Sequence, residues 1–160
     1  MNSPLRSFLL GATLAAATLT ACSSDRARST PSPVVGNEAG CDKASVSTMI
    51  ADFFAGWNAR DPQRVERLFA PQFDLDDGVP AGRTTVRDQG ALRTYLALRF
   101  GLNDRFVTVV PTVPERPSNT QANATASFDR YVGDARLRGN AKFVCSDGRF
   151  LHVVMSAEGT

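Results

Sequence analysis

Between residues 44 and 59 the apolar side chains recur at helical spacing: Val46, Met49, Ile50, Phe53 and Trp57, with Phe54 beside them. A stripe of that width predicts an amphipathic helix. Asp61-Pro62 then restarts a helix, with Asp61 as N-cap and Pro62 at the first helical position. Val65, Leu68 and Phe69 form its expected buried face, and Pro71 its stop. Phe73 and Leu75 alternate with acidic residues, the signature of a short strand, and Gly78-Val79-Pro80-Ala81-Gly82 reads as a turn. Asp88 is placed to cap a third helix through Leu92, Tyr95, Leu96 and Phe100, with Gly101 ending it.

The rest of the chain is strand-like. Phe106 to Val113 is β-branched and bounded by prolines, and Ala122 to Val132 alternates small apolar with polar residues. Arg136 to Cys145 does the same, with Leu137, Gly139, Ala141, Phe143 and Cys145 in one phase. Ser146-Asp147-Gly148 makes a hairpin turn before a last strand from Phe150 to Ala157. In that strand Leu151, Val153 and Met155 read as the buried set, leaving Phe150, His152 and Val154 outside. Helices first and then a meander of strands define an α+β domain, its three helices packed on one face of an antiparallel sheet.

The beginning of the chain has a different texture. Arg6 precedes an apolar run from Phe8 to Leu19, about a dozen residues and too short to cross a ~30 Å hydrocarbon core as a helix. The run ends in Leu19-Thr20-Ala21-Cys22, which resembles the lipobox of bacterial lipoproteins. That resemblance implies an export signal over residues 1–21, diacylglyceryl modification of the Cys22 thiol, and cleavage just before it. An ordinary secretory signal with Cys22 incidental is the other reading. Residues 23–40 are rich in Ser, Thr, Pro and Gly and poor in large apolar side chains, so they read as a flexible spacer after the lipidated Cys22. The folded domain then occupies 41–160. The expected address is the extracytoplasmic side of the cell membrane or the outer membrane, and Ser23, which is not an Asp, leaves outer-membrane sorting open.

Charge changes this picture little. Eighteen basic residues against 16 acidic give a formal net charge of +2, too balanced for a nucleic-acid binder. Arg64, Arg67, Arg93 and Arg99 fall on helix faces and read as solvated, with steering toward anionic lipid as the lesser alternative. With Cys22 given to lipid, Cys41 and Cys145 remain as a pair in an oxidising compartment, and a structural disulfide is expected. Two free thiols, or a metal pair, are the alternatives; His152, the single His, is all that could assist a metal, so no metal site or cofactor is expected.

The stretch Phe53-Phe54-Ala55-Gly56-Trp57-Asn58-Ala59-Arg60-Asp61, followed by Val65, Leu68-Phe69-Ala70-Pro71 and an acidic strand, resembles nuclear transport factor 2-like domains. That superfamily includes SnoaL-like polyketide cyclases and ketosteroid isomerases. With Arg83, the helix at 88–100 and the strand meander, the resemblance spans about 44–157. It implies a cone: a curved sheet wrapped around helices, with a pocket at its open end. Phe53, Trp57 and Tyr95 are the expected lining, and a hydrophobic small molecule the expected ligand. Asp77 falls where ketosteroid isomerases hold their catalytic Asp, and it shares strand phase with Phe73 and Leu75, so it should face inward. There it would serve as general base beside a carbonyl. The family's oxyanion-stabilising Tyr, however, matches Phe53, and its second, protonated Asp falls near Asn140. Only Tyr95 remains as a substitute donor. A structural Asp77, holding backbone amides or pairing with Arg83, is therefore preferred over catalysis.

Taken together, these readings point to a membrane-anchored module that binds a small molecule or a protein without catalysis. A small isomerase, dehydratase or cyclase using Asp77 is the alternative. A homodimer through the outer sheet face (Phe150, His152, Val154) is a further possibility.

Overall fold

A computed structural model of the protein describes residues 40–78, 83–115 and 120–159. The leader, Cys22, the spacer up to residue 39 and positions 79–82 of the expected turn lie outside the described residues. The chain order is α1 (Lys43–Asn58), α2 (Pro62–Glu66), β1 (Phe69–Gly78), β2 (Thr84–Val86), α3 (Gln89–Gly101), β3 (Arg105–Thr112), β4 (Gln121–Val132), β5 (Ala135–Ser146) and β6 (Arg149–Gly159). The strands form one six-stranded sheet in the order β2-β1-β6-β5-β4-β3. This is the expected α+β class, a curved sheet with helices packed on it.

All three helices start at an aspartate. The Asp42 carboxylate accepts from the amides of Ala44 and Ser45 at 2.9 and 3.0 Å. Asp61 accepts from Arg64 at 2.9 Å and Asp88 from Ala91 at 2.8 Å. Each satisfies an amide that the first helical turn leaves open, a cap worth about 1 kcal/mol. The apolar stripe of α1 is buried along its length, and Phe53 sits at its centre. Its ring meets those of Phe54, Trp57, Phe69, Phe143 and Phe150 at centroid distances of 5.2 to 6.4 Å, mostly edge to face.

The structure departs from the sequence expectations at four places. Helix α2 ends at Glu66, so Phe69 belongs to β1, and Pro71 lies inside that strand where its register against β6 shifts between Phe69 and Asp74. An irregular stretch of this kind tolerates a residue without an amide proton. The short strand expected at Phe73–Leu75 is ten residues long and is joined by β2, which has no periodic signal of its own. Pair β1–β6 runs parallel while every other pair is antiparallel. Finally, Val144 pairs with His152 but Cys145 pairs with Phe150, so Leu151 is an extra residue in β6. Such a bulge reverses the facing of everything before it. Phe150 is consequently buried in the core and Leu151 is 42% exposed, the opposite of the strict alternation. Of the three residues expected on the outer sheet face, His152 and Val154 remain and Phe150 does not.

Asp147 and Gly148 both adopt positive φ, 49° and 71°, as a two-residue hairpin between twisted strands requires. The disulfide is formed: Cys41, just before α1, is bonded to Cys145 near the end of β5 with the Cα atoms 5.8 Å apart. Gly139 in β5 marks a close approach of another kind. A Cβ there would stand 2.1 Å from the Ser156 carbonyl oxygen and 2.8 Å from the Phe128 ring. Backbone cannot yield as a side chain tip can, so Gly139→Ala is expected to cost about 1–3 kcal/mol or more. Chemical denaturation would show it as a lower midpoint.

Candidate functional site: a buried carboxylate–guanidinium network

Strand β1 carries Phe73, Leu75 and Asp77 in one phase, and all three face the helices with at most 4% exposure. Asp77 thus lies inside, as its phase predicts. On the far side of the sheet, β4 presents Ala122, Ala124, Ala126, Phe128 and Arg130 to the same interior. Arg130 is fully buried, and its guanidinium lies over the rings of Trp57 and Phe106 at 5.2 and 5.0 Å. One edge of the fork donates to Asp77: Nη1 to Oδ1 and Nη2 to Oδ2, both at 2.8 Å. The other edge donates to Asp104, Nε to Oδ1 at 2.8 Å and Nη2 to Oδ2 at 2.6 Å. Asp104 also accepts from Arg99 Nε at 2.5 Å, and the Tyr95 hydroxyl donates to Asp77 Oδ2.

Local structure explains how these groups meet. Tyr95 and Arg99 are one helical turn apart on the buried face of α3. Past its C-cap, Leu102, Asn103 takes a left-handed φ of 54°, and the Asp104 amide returns to the Arg99 carbonyl at 3.2 Å. That turn aims the Asp104 side chain back under α3. The start of β3 is fixed by Asn58 at the end of α1, whose amide accepts from Phe106 N at 2.8 Å and donates to Phe106 O at 2.7 Å.

Two carboxylates therefore face two guanidiniums, and the buried charges cancel. Burial by itself pulls the Arg130 pKa down, but hydrogen bonds to Asp104 and Asp77 outweigh it and hold the guanidinium above its ordinary value. Burial, then the neighbouring Asp77 charge, pushes the Tyr95 phenol well above the tyrosine range, so it stays protonated and keeps its proton toward Asp77. Three donors occupy both Asp77 oxygens: Arg130 holds Oδ1 and Oδ2, and Tyr95 adds a second bond to Oδ2. The Trp57 indole Nε1 and Arg99 Nη2 are buried without a hydrogen-bond partner.

The remaining sequence candidates are placed as follows. Trp57 and Tyr95 pack edge to face at 5.9 Å, and Phe53 adjoins Trp57 at 5.8 Å, so the three expected lining residues and Asp77 are contiguous. All four are at most 6% exposed. Surface grooves of about 600, 530 and 480 Å³ have none of them in their walls. Arg83, the partner considered for Asp77, instead reaches Asp76 at 3.2 Å. Asp76 lies on the other sheet face, held below the usual carboxylate range chiefly by the Thr85 hydroxyl and then by Arg83. His152 Nε2 stands 3.6 Å from Asp76. Asn140 also faces outward and accepts from Ser127. Arg99, expected on a solvated helix face, is 6% exposed and belongs to the network. Among the described residues no group of three or more His, Cys, Asp or Glu is arranged to hold a metal ion, and no helix is long and apolar enough to cross a membrane.

Neither Arg130 nor Asp104 was singled out by the sequence. A signal for Arg130 exists: it falls in the inward phase of β4, four residues past Ala126. For Asp104, in an aperiodic connection, there is none.

No protein-family model matches the chain, and no curated protein matches it. Solved structures do. A protein inferred to be a polyketide cyclase from Xanthomonas campestris pv. campestris aligns with a TM-score of 0.55 and 14% identity, over 70% of this chain and 89% of that one. A cystatin-like protein of unknown function from Methylobium petroleophilum PM1 gives 0.62 and 13%, over 76% and 80%. A nuclear transport factor 2-like protein of unknown function from Cytophaga hutchinsonii gives 0.53 and 10%, over 70% and 88%. At these identities the likeness shows the fold alone: the domain has the nuclear transport factor 2-like, or cystatin-like, architecture.

Proposed function

We propose that this protein is a non-catalytic binding or interaction module, held on the extracytoplasmic face of a membrane by an acyl group on Cys22. The observation that carries the non-catalytic part is the two-pronged hold of Arg130 on Asp77. A general base needs a free lone pair within reach of the substrate. Here the carboxylate that the resemblance would make the base is spent on holding β1, β4 and α3 together. Phe53, at the position of the family's oxyanion donor, sits in an aromatic cluster and has no hydroxyl. The Cys41–Cys145 bond supports the compartment, since such bonds persist where thiols are not kept reduced. The apolar leader and the Leu19-Thr20-Ala21-Cys22 sequence support the anchor. Two or more acyl chains make attachment durable, at ~0.8 kcal/mol for each buried methylene.

The catalytic alternative draws on the contact between the Tyr95 hydroxyl and Asp77, which places a proton donor against the carboxylate. One measurement tests the anchor and another separates the two readings. Mass spectrometry of the native product should find a diacylglyceryl Cys22 at the N-terminus, and Cys22→Ser should move the protein out of the membrane fraction; a bare thiol with the leader attached would overturn the anchor. The purified protein should leave ketosteroid and polyketide-like substrates unchanged. Turnover that Asp77→Asn abolishes, in a variant still folded by circular dichroism, would establish the enzyme instead.

A further inference from the structure

On the helical side of the domain, an open cleft of about 480 Å³ lies between α2, the start of β1, α3 and the start of β6, and its polar walls are Gln63, Glu66, Arg67, Gln89, Arg93 and Arg149. The charges in it are not balanced. Arg93 Nε donates to both oxygens of Glu66 at 2.9 Å, which uses the cleft's single acid. Arg149 Nη1 donates to the backbone carbonyls of Arg67 and Phe69, at 2.8 and 3.5 Å, and so is fixed at the end of α2. No hydrogen bond or ion pair engages the Arg67 guanidinium among the described residues. Arg64, Arg83, Arg87, Arg136 and Arg138 each sit on a carboxylate, Arg60 donates to the Asn103 side chain and Arg105 lies over the Tyr131 ring. The carbonyls at the end of α2 explain why a cation lies there. They do not explain Arg67, whose guanidinium lines the same cleft without a partner among the described residues. Two cations lining one cleft favour an anion there, and arginine forks match oxyanions in geometry.

We propose that this cleft binds a phosphate-class oxyanion, either a glycerophosphate lipid headgroup or the corresponding free phosphate ester. Arg67 and Arg149 take the phosphate oxygens. The cleft chemistry stands apart from the anchor; only the lipid source gains from it, because a spacer ending at residue 40 keeps the domain within reach of the leaflet.

The test uses the full mature chain with Cys22→Ser, so that no acyl group contributes and a failure of the anchor cannot imitate a failure of the site. Calorimetry with glycerol 3-phosphate and sedimentation with phosphatidylglycerol or pure phosphatidylcholine vesicles form the two arms. Binding is expected to glycerol 3-phosphate, to the anionic vesicles, or to both, and which arm responds identifies the source. Arg67→Gln, a side chain with no contact to lose, should weaken binding roughly tenfold, as expected for a charge-assisted bond. Adding Arg149→Gln should weaken it further. Arg138→Gln removes the same charge from the outer sheet face and should leave affinity within about twofold. Absence of binding in both arms, or an Arg138→Gln loss equal to that of Arg67→Gln, would overturn the proposal.

Discussion

Arg130→Leu is expected to leave the domain largely unfolded at physiological temperature. Removing one partner from a buried ion pair costs about 3–5 kcal/mol, because the charge left behind has neither water nor counter-ion. Arg130 serves two carboxylates, Asp77 and Asp104, both at most 3% exposed, so its loss strands Asp77 outright and leaves Asp104 with Arg99 alone. It also removes the cation stacked between Trp57 and Phe106. Against a typical domain stability of about 5–15 kcal/mol, the change takes a large fraction of the whole. Arg130→Lys should fall in between, since an ammonium keeps the charge but cannot fork to two carboxylates at once. The informative variant is the double one. With Asp77→Asn added, one stranded charge disappears, while Asp104 keeps Arg99. Arg130→Leu/Asp77→Asn should therefore be more stable than Arg130→Leu alone, a coupling that denaturant midpoints would measure. If the single variant unfolds within about 1 kcal/mol of wild type, the network does not hold the fold and the case for a structural Asp77 falls with it.

How far this site was legible follows from the range of each signal. The stripe of α1, the three aspartate caps and the inward facing of Asp77 are local, and each could be read within a few residues. Arg130 obeys the same local rule, in phase with Ala124, Ala126 and Phe128, but an arginine in a row of small apolar residues reads as an interruption of the pattern. Its meaning depends on Asp77, 53 residues away. Sequence proximity had pointed to Arg83, which lies on the opposite sheet face because strand neighbours alternate. The bulge at Leu151 failed for a related reason: one inserted residue keeps Val153 and Met155 correct and reverses Phe150 and Leu151, and nothing in those side chains announces it. Pair β1–β6 is a matter of topology, and no residue within either strand encodes its direction.

The second large effect belongs to the Cys41–Cys145 bond. Replacing both cysteines with serine is expected to cost about 2–5 kcal/mol, the range for a small secreted domain; chain entropy for a loop of about this length gives ~4.7 kcal/mol. The bond spans 104 residues and so closes nearly the whole domain. Both cysteines are fully buried, so two serine hydroxyls would take their place with no water to bond. Guanidinium denaturation should show the double variant with a lowered midpoint, and wild type unfolded in the presence of a reductant should move to the same value. A midpoint equal to that of the oxidised protein would mean that the bridge merely decorates a fold already held by other contacts. Its position also bears on the anchor. Cys41 immediately follows the spacer, and α1 begins two residues later. If Cys22 carries the proposed acyl group, any pull from it would enter the domain at Cys41 and pass through the bond into β5, an interior strand of the sheet, instead of peeling α1 from its N-terminal end. The double variant should accordingly be cut by protease near the start of α1 faster than wild type, and more so when membrane-bound than when released by Cys22→Ser.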